Sequence, residues 1–411
     1  MTCEPTRPPD DIDIPALREK YRRERVKRLR SEGQAQYLRT TGDFVDQYER
    51  DPHTPYTPRD PISEDLDVAI LGSGWSGLLA AYHLRIAGVS TFRNIDLAGD
   101  FGGCWYWNRY PGLQCDNDSY CYIALLEEMG FMPSKKFADG LEIREHMQRV
   151  AKRFELYQGA LFHTLVRAMR WDDAIKRWRL QTNRGDDIRA RFVIMACGPL
   201  NRPKLPGIPG IKSFKGRAFH TARWDYEYTG GSEKEPVLSR LADKRVALVG
   251  TGATAIQVVP YLGRYAKQLY VVQRTPSAVD ARSNPPTDPE WVKTLEPGWQ
   301  KKRQANFNRG TNEAFRPDEP DLICDFWTEL SRNIRGRLEA MGWKKLSTEQ
   351  YLRLREEEDY RVMERLRRRV DSIVKDKETA EALKPYYRFG CKRPSSSASY
   401  YETFNLPNVK L

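Results

Sequence analysis

The stretch LDVAILGSGWSGLLAAYHLRIAG, residues 66–88, decides the fold class because it joins an apolar run, a glycine turn and a helical pattern. Residues 66–71 predict a buried strand, and the apolar spacing after the turn predicts a helix. Gly72 allows the sharp turn, Gly74 lets the backbone approach a pyrophosphate, and Gly77 permits close packing of helix and strand. The stretch is therefore typical of a Rossmann-like unit that binds a dinucleotide.

An acidic residue after the next predicted strand indicates which dinucleotide this unit binds. The strand, STFRNID, ends at Asp96, 24 residues after Gly72 and slightly beyond the usual spacing of about 20 residues. A carboxylate at this place accepts a hydrogen bond from a ribose 2′-hydroxyl. The first unit is therefore predicted to bind FAD or NAD, neither of which carries a 2′-phosphate.

A second glycine turn repeats the pattern. The predicted strand KRVALVG leads into Gly250, with Gly252 and Ala255 in GTGATA, and a helical stretch follows. After the next strand, QLYVVQ, Arg274 lies 24 residues beyond Gly250, where the first unit has its acid. A cation there can pair with a 2′-phosphate and favours NADP(H). Two units of unlike preference indicate a flavoprotein that holds FAD and is reduced by NADPH.

The composition argues against several other classes of protein. The chain has 411 residues and a formal net charge of +12, but its basic clusters at 20–30 and 361–370 alternate with apolar residues at helical spacing. They predict solvated helix faces, with nucleic-acid binding as the alternative. No apolar run reaches the roughly 18–20 residues that span a bilayer. The N-terminus lacks a secretory signal and the seven cysteines form no C-x-x-C pair, so we expect a cytoplasmic protein without a metal site or a disulfide framework.

Three further motifs match those of a known family. The stretch FKGRAFHTARWD (214–225) matches the fingerprint F-x-G-x-x-x-H-x-x-x-W followed by Pro or Asp, and GGCWYWNRYPGLQCD (102–116) matches a longer signature. The tail CKRPSSSASYYETFNLPNVKL looks like a third family segment. On these motifs the chain resembles the Baeyer–Villiger monooxygenases, which are class B flavin-dependent enzymes. The matching residues are Phe214, Gly216, His220, Trp224 and Asp225 in the fingerprint, and Gly102, Gly103, Trp105, Tyr110, Pro111, Gly112 and Asp116 in the signature.

The resemblance implies a reaction and a pair of catalytic residues. NADPH would reduce FAD, and the reduced flavin would use O2 to insert one oxygen atom next to a ketone carbonyl, giving an ester or a lactone. Arg393 matches the family's active-site arginine, whose fixed cation would favour the negative charge that develops during oxygenation. Asp116 matches the acid that partners this arginine.

The resemblance also implies cofactor contacts and a role for the fingerprint. Lys392 matches a lysine that contacts the NADP 2′-phosphate together with Arg274, and Trp105 matches a residue of the FAD site. His220 and Trp224 would help to couple domain movement to catalysis, although Trp224 could also act only as a core anchor of the linker.

The predicted fold is α/β, with two Rossmann-like domains, a helical insertion and an N-terminal helical extension. We expect an extension over 1–62, an FAD-binding domain over 63–200, an NADP-binding domain over 201–385 with its insertion at about 326–384, and a return segment to the FAD domain over 386–411. The extension, with a helix around 15–32, is expected to pack over the catalytic body. Within the insertion, one apolar stripe is expected to be core: Val362, Leu366, Val370 and Val374.

A departure from the family and a sister class of enzymes leave two other functions open. Family members continue beyond FNLPNVKL with an ATG turn that completes the flavin domain, so the resemblance implies that this C-terminal part is missing and that the final strand is unpaired. One alternative is therefore a non-catalytic remnant. The other is a flavin monooxygenase that oxygenates nitrogen or sulfur, although such enzymes usually lack Trp at the position of Trp224. The resemblance also implies specialised metabolism, because extensions like 1–62 occur in fungal-type relatives that act on bulky polyketide or terpenoid ketones.

Overall fold

The computed structural model describes residues 11–45, 49–200 and 202–411. Eight helices of seven or more residues lie in this part of the chain: α1 (Ile14–Arg28), α2 (Trp75–Ile86), α3 (Gly140–Arg153), α4 (Ala253–Tyr265), α5 (Trp299–Thr311), α6 (Glu329–Ala340), α7 (Thr348–Ile373) and α8 (Lys377–Leu383). Shorter helical turns are Cys104–Trp107, Ser119–Tyr122, Leu126–Met129, Tyr226–Thr229, Pro289–Lys293 and Tyr400–Thr403.

The strands of the same part of the chain are short, and most of them are parallel. They are β1 (Tyr37–Arg39), β2 (Ser63–Leu71), β3 (Phe92–Ile95), β4 (Ala160–Leu161), β5 (Val166–Asp172), β6 (Arg177–Thr182), β7 (Asp187–Met195), β8 (Lys204–Pro206), β9 (Arg245–Val249), β10 (Gln268–Val272), β11 (Val279–Asp280), β12 (Ser395–Ser396) and β13 (Val409–Lys410).

The chain divides into two compact units, each named here after its glycine turn. The GSGWSG unit comprises Glu32–Tyr110 and Asp139–Asp225, and the GTGATA unit comprises 11–31, Pro111–Ala138 and Tyr226–Leu411. The predicted domains are defined by the cofactor that each holds, so their boundaries stay predictions. Residues 386–411 belong to the GTGATA unit.

The GSGWSG unit is built on a six-stranded sheet in the order β4-β3-β2-β7-β6-β5. β2 lies parallel to β3 and β7, whereas β5 and β6 form an antiparallel pair at one edge. Because β2 is central and covered, its residues from Val68 to Leu71 are buried, as the apolar run predicts. One core cluster contains Leu66, Ala69, Leu71, Ile95, Leu161, Leu180, Ile188 and Ala190.

The GTGATA unit has a parallel sheet in the order β13-β10-β9 and a second parallel pair, β11 with β12. The tail strand β13 pairs with β10 through Leu269 and Val409, so the expectation of an unpaired final strand is wrong. Helix α7 begins with a capping box in which Ser347 and Gln350 satisfy each other's backbone N–H groups. The predicted apolar stripe is buried: Val362, Leu366, Val370 and Val374.

These observations confirm the predicted α/β class with two strand–turn–helix units. Among the described helices, none combines the length and the apolar content needed to cross a membrane. Among the described residues, five cysteines carry free thiols and Cys324 is disulfide-bonded.

Candidate functional site

The first glycine turn has the close backbone contacts that its three glycines predict. Gly72 has a φ of +117°, and a Cβ added there would lie 2.4 Å from the Ala196 carbonyl oxygen. A Cβ on Gly77 would lie 1.9 Å from the Gly72 carbonyl oxygen, so any side chain at that position would push α2 away from β2. The turn therefore leads by close backbone packing into the N-terminus of α2, where N–H groups suit a pyrophosphate.

Two polar side chains lie at this turn: one stabilises its conformation, and the other has a hydroxyl without a hydrogen-bond partner among the described residues. Buried Asn94 donates hydrogen bonds of 3.2 Å to the carbonyl oxygens of both Gly72 and Gly77, which fixes the turn. The Ser73 hydroxyl is fully buried and has no hydrogen-bond partner among the described residues. A buried hydroxyl without a partner is costly, and a phosphate oxygen would satisfy it. The turn therefore fits an FAD pyrophosphate.

The carboxylate of Asp96 lies beside the same turn. One oxygen accepts from the backbone N–H of Ser73 at 2.6 Å and the other from that of Ala98 at 2.9 Å. Burial raises the pKa of Asp96, and the two N–H donors oppose that rise. Since each carboxylate oxygen has two lone pairs, the group retains capacity to accept from a ribose hydroxyl.

The motif GGCW crosses directly over this turn. Gly102 N–H donates to the Ser73 carbonyl oxygen at 3.0 Å. Gly103 has a φ of +55°, and a Cβ added there would lie 2.5 Å from the Gly74 Cα. Trp105, in the helical turn that follows, is buried, with 8% of its surface exposed. Two separate sequence motifs thus form one surface lined by backbone atoms.

The second glycine turn is looser than the first. Gly250 has a φ of +109° and its N–H donates to the Val272 carbonyl oxygen at 2.9 Å. Nothing lies within 4 Å of a Cβ built on Gly252. Buried Ala255 stands where the first turn has Gly77, so α4 accommodates a side chain that α2 does not.

The residues predicted to contact the 2′-phosphate of NADP(H) lie at this turn, and Lys392 is one of them. Its ammonium donates to Thr251 Oγ1 at 2.9 Å and to the Thr275 carbonyl oxygen at 2.7 Å, next to Arg274. Burial, followed by the charges of Arg274 and Arg28, lowers the pKa of Lys392 to about 8. Three positive groups therefore lie close together at the second turn. Such a site fits a phosphate that carries negative charge.

Arg393, the next residue along the chain, has a different partner. It donates two hydrogen bonds of 2.6 Å to the two carboxylate oxygens of Asp116, and one of 3.2 Å to Asn117 Oδ1. The bond to Asp116 raises the pKa of Arg393, so the guanidinium is always charged. About half of the Arg393 side chain is exposed, which leaves the cation accessible.

Trp327 supports this pair, and no sequence motif indicated it. The Arg393 guanidinium carbon lies 4.9 Å from the centre of the Trp327 ring, and the indole Nε1 donates to the Asp116 backbone oxygen at 2.6 Å. A cavity of about 310 Å³ lies beside Asn117 and Phe307. Trp327 precedes α6, outside the family motifs, so only the fold brings it to this pair.

The fingerprint residues lie together in the GSGWSG unit. Trp224 is buried and its ring packs edge-on against Phe219 at 5.4 Å. His220 Nδ1 accepts from the Ala222 N–H at 3.1 Å and caps the turn before Trp224. Burial, and then Arg223, lowers the pKa of His220.

The outer part of the fingerprint is more exposed. Phe214 is 64% exposed, and a Cβ on Gly216 would lie 2.6 Å from its ring. Asp225 forms an ion pair with Arg217 at 2.5 Å. The sequence pattern indicated neither Arg217 nor the stacking of Arg223 on Trp107 at 3.8 Å.

Comparison with known proteins places the chain among oxidoreductases. Residues 66–296 match the family described as pyridine nucleotide-disulphide oxidoreductase. Over 405 residues the chain is 49% identical to the neopentalenolactone D synthase of Streptomyces avermitilis, a match that covers 97% of this chain and 67% of that protein. It is 48% identical over 401 residues to the Baeyer-Villiger monooxygenase ATR8 of Stachybotrys chlorohalonatus, with 97% and 64% covered.

A solved structure is similar over almost the whole chain. It is that of the polycyclic ketone monooxygenase from the thermophilic fungus Thermothelomyces thermophila, with a TM-score of 0.87 and 39% sequence identity. The match covers 98% of this chain and 68% of that one. The chain thus spans about two thirds of the length of these relatives, between 64% and 68%.

Proposed function

The chain belongs to the Baeyer–Villiger monooxygenases, and from this membership we propose that it inserts one oxygen atom from O2 next to the carbonyl of a ketone substrate, giving an ester or a lactone. The resemblance inferred from the three sequence motifs is thereby confirmed. Members of this family are flavin-dependent oxidoreductases, and FAD and NADPH are their cofactors. The observation that carries the proposal is the accessible cation of Arg393, held by Asp116.

We assign the two cofactors to the two glycine turns. FAD would be held by Gly72, Gly74, Gly77, Asp96 and Trp105, and its phosphates would supply the partner that the Ser73 hydroxyl lacks among the described residues. NADPH would be held by Gly250, Gly252, Ala255, Arg274 and Lys392. The opposite charges of Asp96 and Arg274 support this assignment, because only the coenzyme with a 2′-phosphate gains from a cation.

Bound FAD supplies the electron transfer and the activation of O2 that no side chain can perform. The protein contributes a fixed positive charge at Arg393, which stabilises negative charge on the reacting oxygen atoms. Asp116 fixes the orientation of the guanidinium through two parallel hydrogen bonds, and Trp327 covers one face of it. Arg393 and Asp116 are therefore the residues that we propose for catalysis.

We further propose that Phe214, Gly216, His220, Trp224 and Asp225 couple domain movement to the reaction, as in the family resemblance. Buried Trp224 and the cap made by His220 support a rigid segment rather than a loose linker. Loop and domain movements of this kind limit the turnover rate of many enzymes.

The substrate class and the location of the protein are also proposals. One relative is named for neopentalenolactone and one solved structure for polycyclic ketones, which supports a bulky polyketide or terpenoid ketone from specialised metabolism. The five free thiols support a reducing, cytoplasmic location, whereas the bonded Cys324 does not.

Two measurements test the proposal. The FAD-loaded chain is mixed anaerobically with NADPH, and the yellow flavin absorbance should bleach. A panel of polycyclic ketones is then supplied with ¹⁸O2, and mass spectrometry should find one labelled oxygen atom in an ester or lactone. Bleaching without any oxygenated ketone, together with oxygenation of a sulfide or an amine, would favour the nitrogen- and sulfur-oxygenating alternative. Failure to bleach would contradict the proposed function.

A further inference from the structure

Helix α1 of the N-terminal extension is anchored on the helices of the insertion. Tyr21, in the middle of α1, is buried, and its hydroxyl accepts from Arg367 Nη1 at 2.9 Å. Its ring lies 5.0 Å from that of Tyr360 on α7. Arg18 adds an ion pair with Glu356 at 2.5 Å. These contacts fix the position of α1 and therefore of its last residue, Arg28.

The guanidinium of Arg28 reaches the loop after β10. Its Nε donates to the backbone oxygen of Arg274 at 2.8 Å. Its Nη1 donates to the Glu24 backbone oxygen at 2.7 Å and to the Glu24 carboxylate at 2.6 Å. Because the guanidinium is planar, these bonds fix its orientation. Its Nη2 has no hydrogen-bond partner among the described residues.

Three cations converge at this place from three separate parts of the chain. Arg274 follows β10, Lys392 comes from the tail, and Arg28 ends α1. Arg28 donates to the backbone oxygen of Arg274 and Lys392 donates to that of Thr275, so the three residues meet at one loop. Burial and the charges of Arg274 and Arg28 lower the pKa of Lys392, as expected for such a cluster. The Glu24 carboxylate does not fully neutralise Arg28, because Lys20 and Lys27 share it.

We propose that Arg28 belongs to the site for the 2′-phosphate of NADP(H), as a third cation that the N-terminal helix adds to Arg274 and Lys392. This inference rests on the proposed function, because it deepens the coenzyme site already assigned. Like charges gathered in one place repel each other, and a bound dianion removes that cost. Arg28 is therefore a determinant of coenzyme specificity that lies outside both nucleotide-binding motifs.

The test compares coenzyme binding by Arg28→Ala and by a matched variant. Lys27→Ala removes the same charge from the next residue of α1 and also breaks an ion pair with Glu24, at 2.8 Å, but Lys27 is 67% exposed. Calorimetric titration of the FAD-loaded proteins with NADP⁺ and with NAD⁺ gives the dissociation constants. Arg28→Ala should weaken NADP⁺ binding about tenfold, the scale of a charge-assisted hydrogen bond, and leave NAD⁺ binding within about twofold. Lys27→Ala should change neither.

A second variant guards against loss of structure. Arg28→Gln retains a polar side chain with an amide N–H donor but no charge, and it should lose NADP⁺ affinity as Arg28→Ala does, at an unchanged melting temperature. If both variants bind NADP⁺ as the wild type does, or lose NADP⁺ and NAD⁺ equally, the inference about Arg28 is overturned and the proposed function stands. If the wild-type protein itself does not distinguish NADP⁺ from NAD⁺, both the coenzyme assignment and the role of Arg28 are overturned.

Discussion

Arg393 and Asp116 face each other through two parallel hydrogen bonds of 2.6 Å each, although 277 residues separate them in the sequence. This bidentate geometry fixes the plane of the guanidinium as well as its position. A lysine at the same place would keep the charge but not the orientation. Substitution of either residue should therefore disturb the orientation of the cation.

Replacing Arg393 should separate the two halves of the reaction. Arg393→Ala should still permit reduction of the flavin by NADPH, because it leaves the nucleotide turns intact. The rate of ketone oxygenation should fall by roughly 10²–10³-fold, the usual effect of removing one group that stabilises developing negative charge. Anaerobic flavin bleaching and product formation measure the two steps separately.

Arg388→Ala is the matched control for this variant. The Arg388 side chain is 48% exposed and pairs with Glu356 at 2.6 Å, much as Arg393 is 52% exposed and pairs with Asp116. Arg388→Ala should leave the rate of oxygenation within about twofold, since exposed ion pairs contribute only about 0–1 kcal/mol to the free energy of unfolding. Equal losses from both variants would reject a special role for Arg393.

Coenzyme binding should weaken in alkaline solution because of Lys392. Burial, Arg274 and Arg28 lower the pKa of Lys392 to about 8, so the ammonium loses its proton as the pH rises through that value. The dissociation constant of NADP⁺ should therefore increase between about pH 7 and about pH 9, whereas that of NAD⁺ should change less. Lys392→Arg keeps its charge in this range and should abolish the difference. A profile that Lys392→Arg leaves unaltered would assign the titration to another group.

The two glycine turns should differ in their tolerance of alanine. In Gly77→Ala the new methyl group would meet the Gly72 carbonyl oxygen at 1.9 Å, so the backbone must move. We expect a loss of roughly 1–3 kcal/mol in the free energy of unfolding, together with poor retention of FAD. Gly252→Ala meets nothing within 4 Å and should cost less than about 1 kcal/mol. Chemical denaturation and the flavin content after gel filtration give both quantities.

Asp359 should make the protein less stable as the pH rises. It is 1% exposed, and burial raises its pKa to about 7, although the Phe389 N–H opposes the shift with a hydrogen bond of 3.0 Å. The folded state holds a proton that the unfolded state has lost above its own pKa, so this contribution to stability disappears between about pH 4 and about pH 7. Asp359→Asn remains neutral and should be more stable than the wild type by roughly 1–4 kcal/mol at about pH 8. Equal melting temperatures of the two proteins at every pH would contradict this expectation.

Both nucleotide units could be predicted because their signals are local. A strand, a glycine turn and a helix occupy some twenty consecutive residues. The positive φ of Gly72 and of Gly250 favours glycine, so the turn can be recognised in the sequence. The Arg393–Asp116 pair could be predicted only from the family motifs, because the spacing of the residues gives no signal for it. Trp327, which contacts both residues, lies outside every motif.

Helix α5 shows why other parts could not be predicted. Its sequence, WQKKRQANFNRGT, has too few apolar residues for a helical stripe. The structure instead buries Gln300, which donates at 2.5 Å to the Ile123 oxygen and accepts at 3.0 Å from the Leu126 N–H. A core built on amide hydrogen bonds has no hydrophobic period. Arg28 was missed for a related reason, since only the docking of α1 brings it to the coenzyme loop.

The contact between Tyr21 and Arg367 has an evolutionary consequence. It packs α1 against α7, so the loss of either segment would expose a buried face of the other. A lineage that lost the first thirty codons would leave Tyr360 and Arg367 bare and would face selection to replace them. Ancestors and descendants of this gene should therefore gain or lose the two segments together.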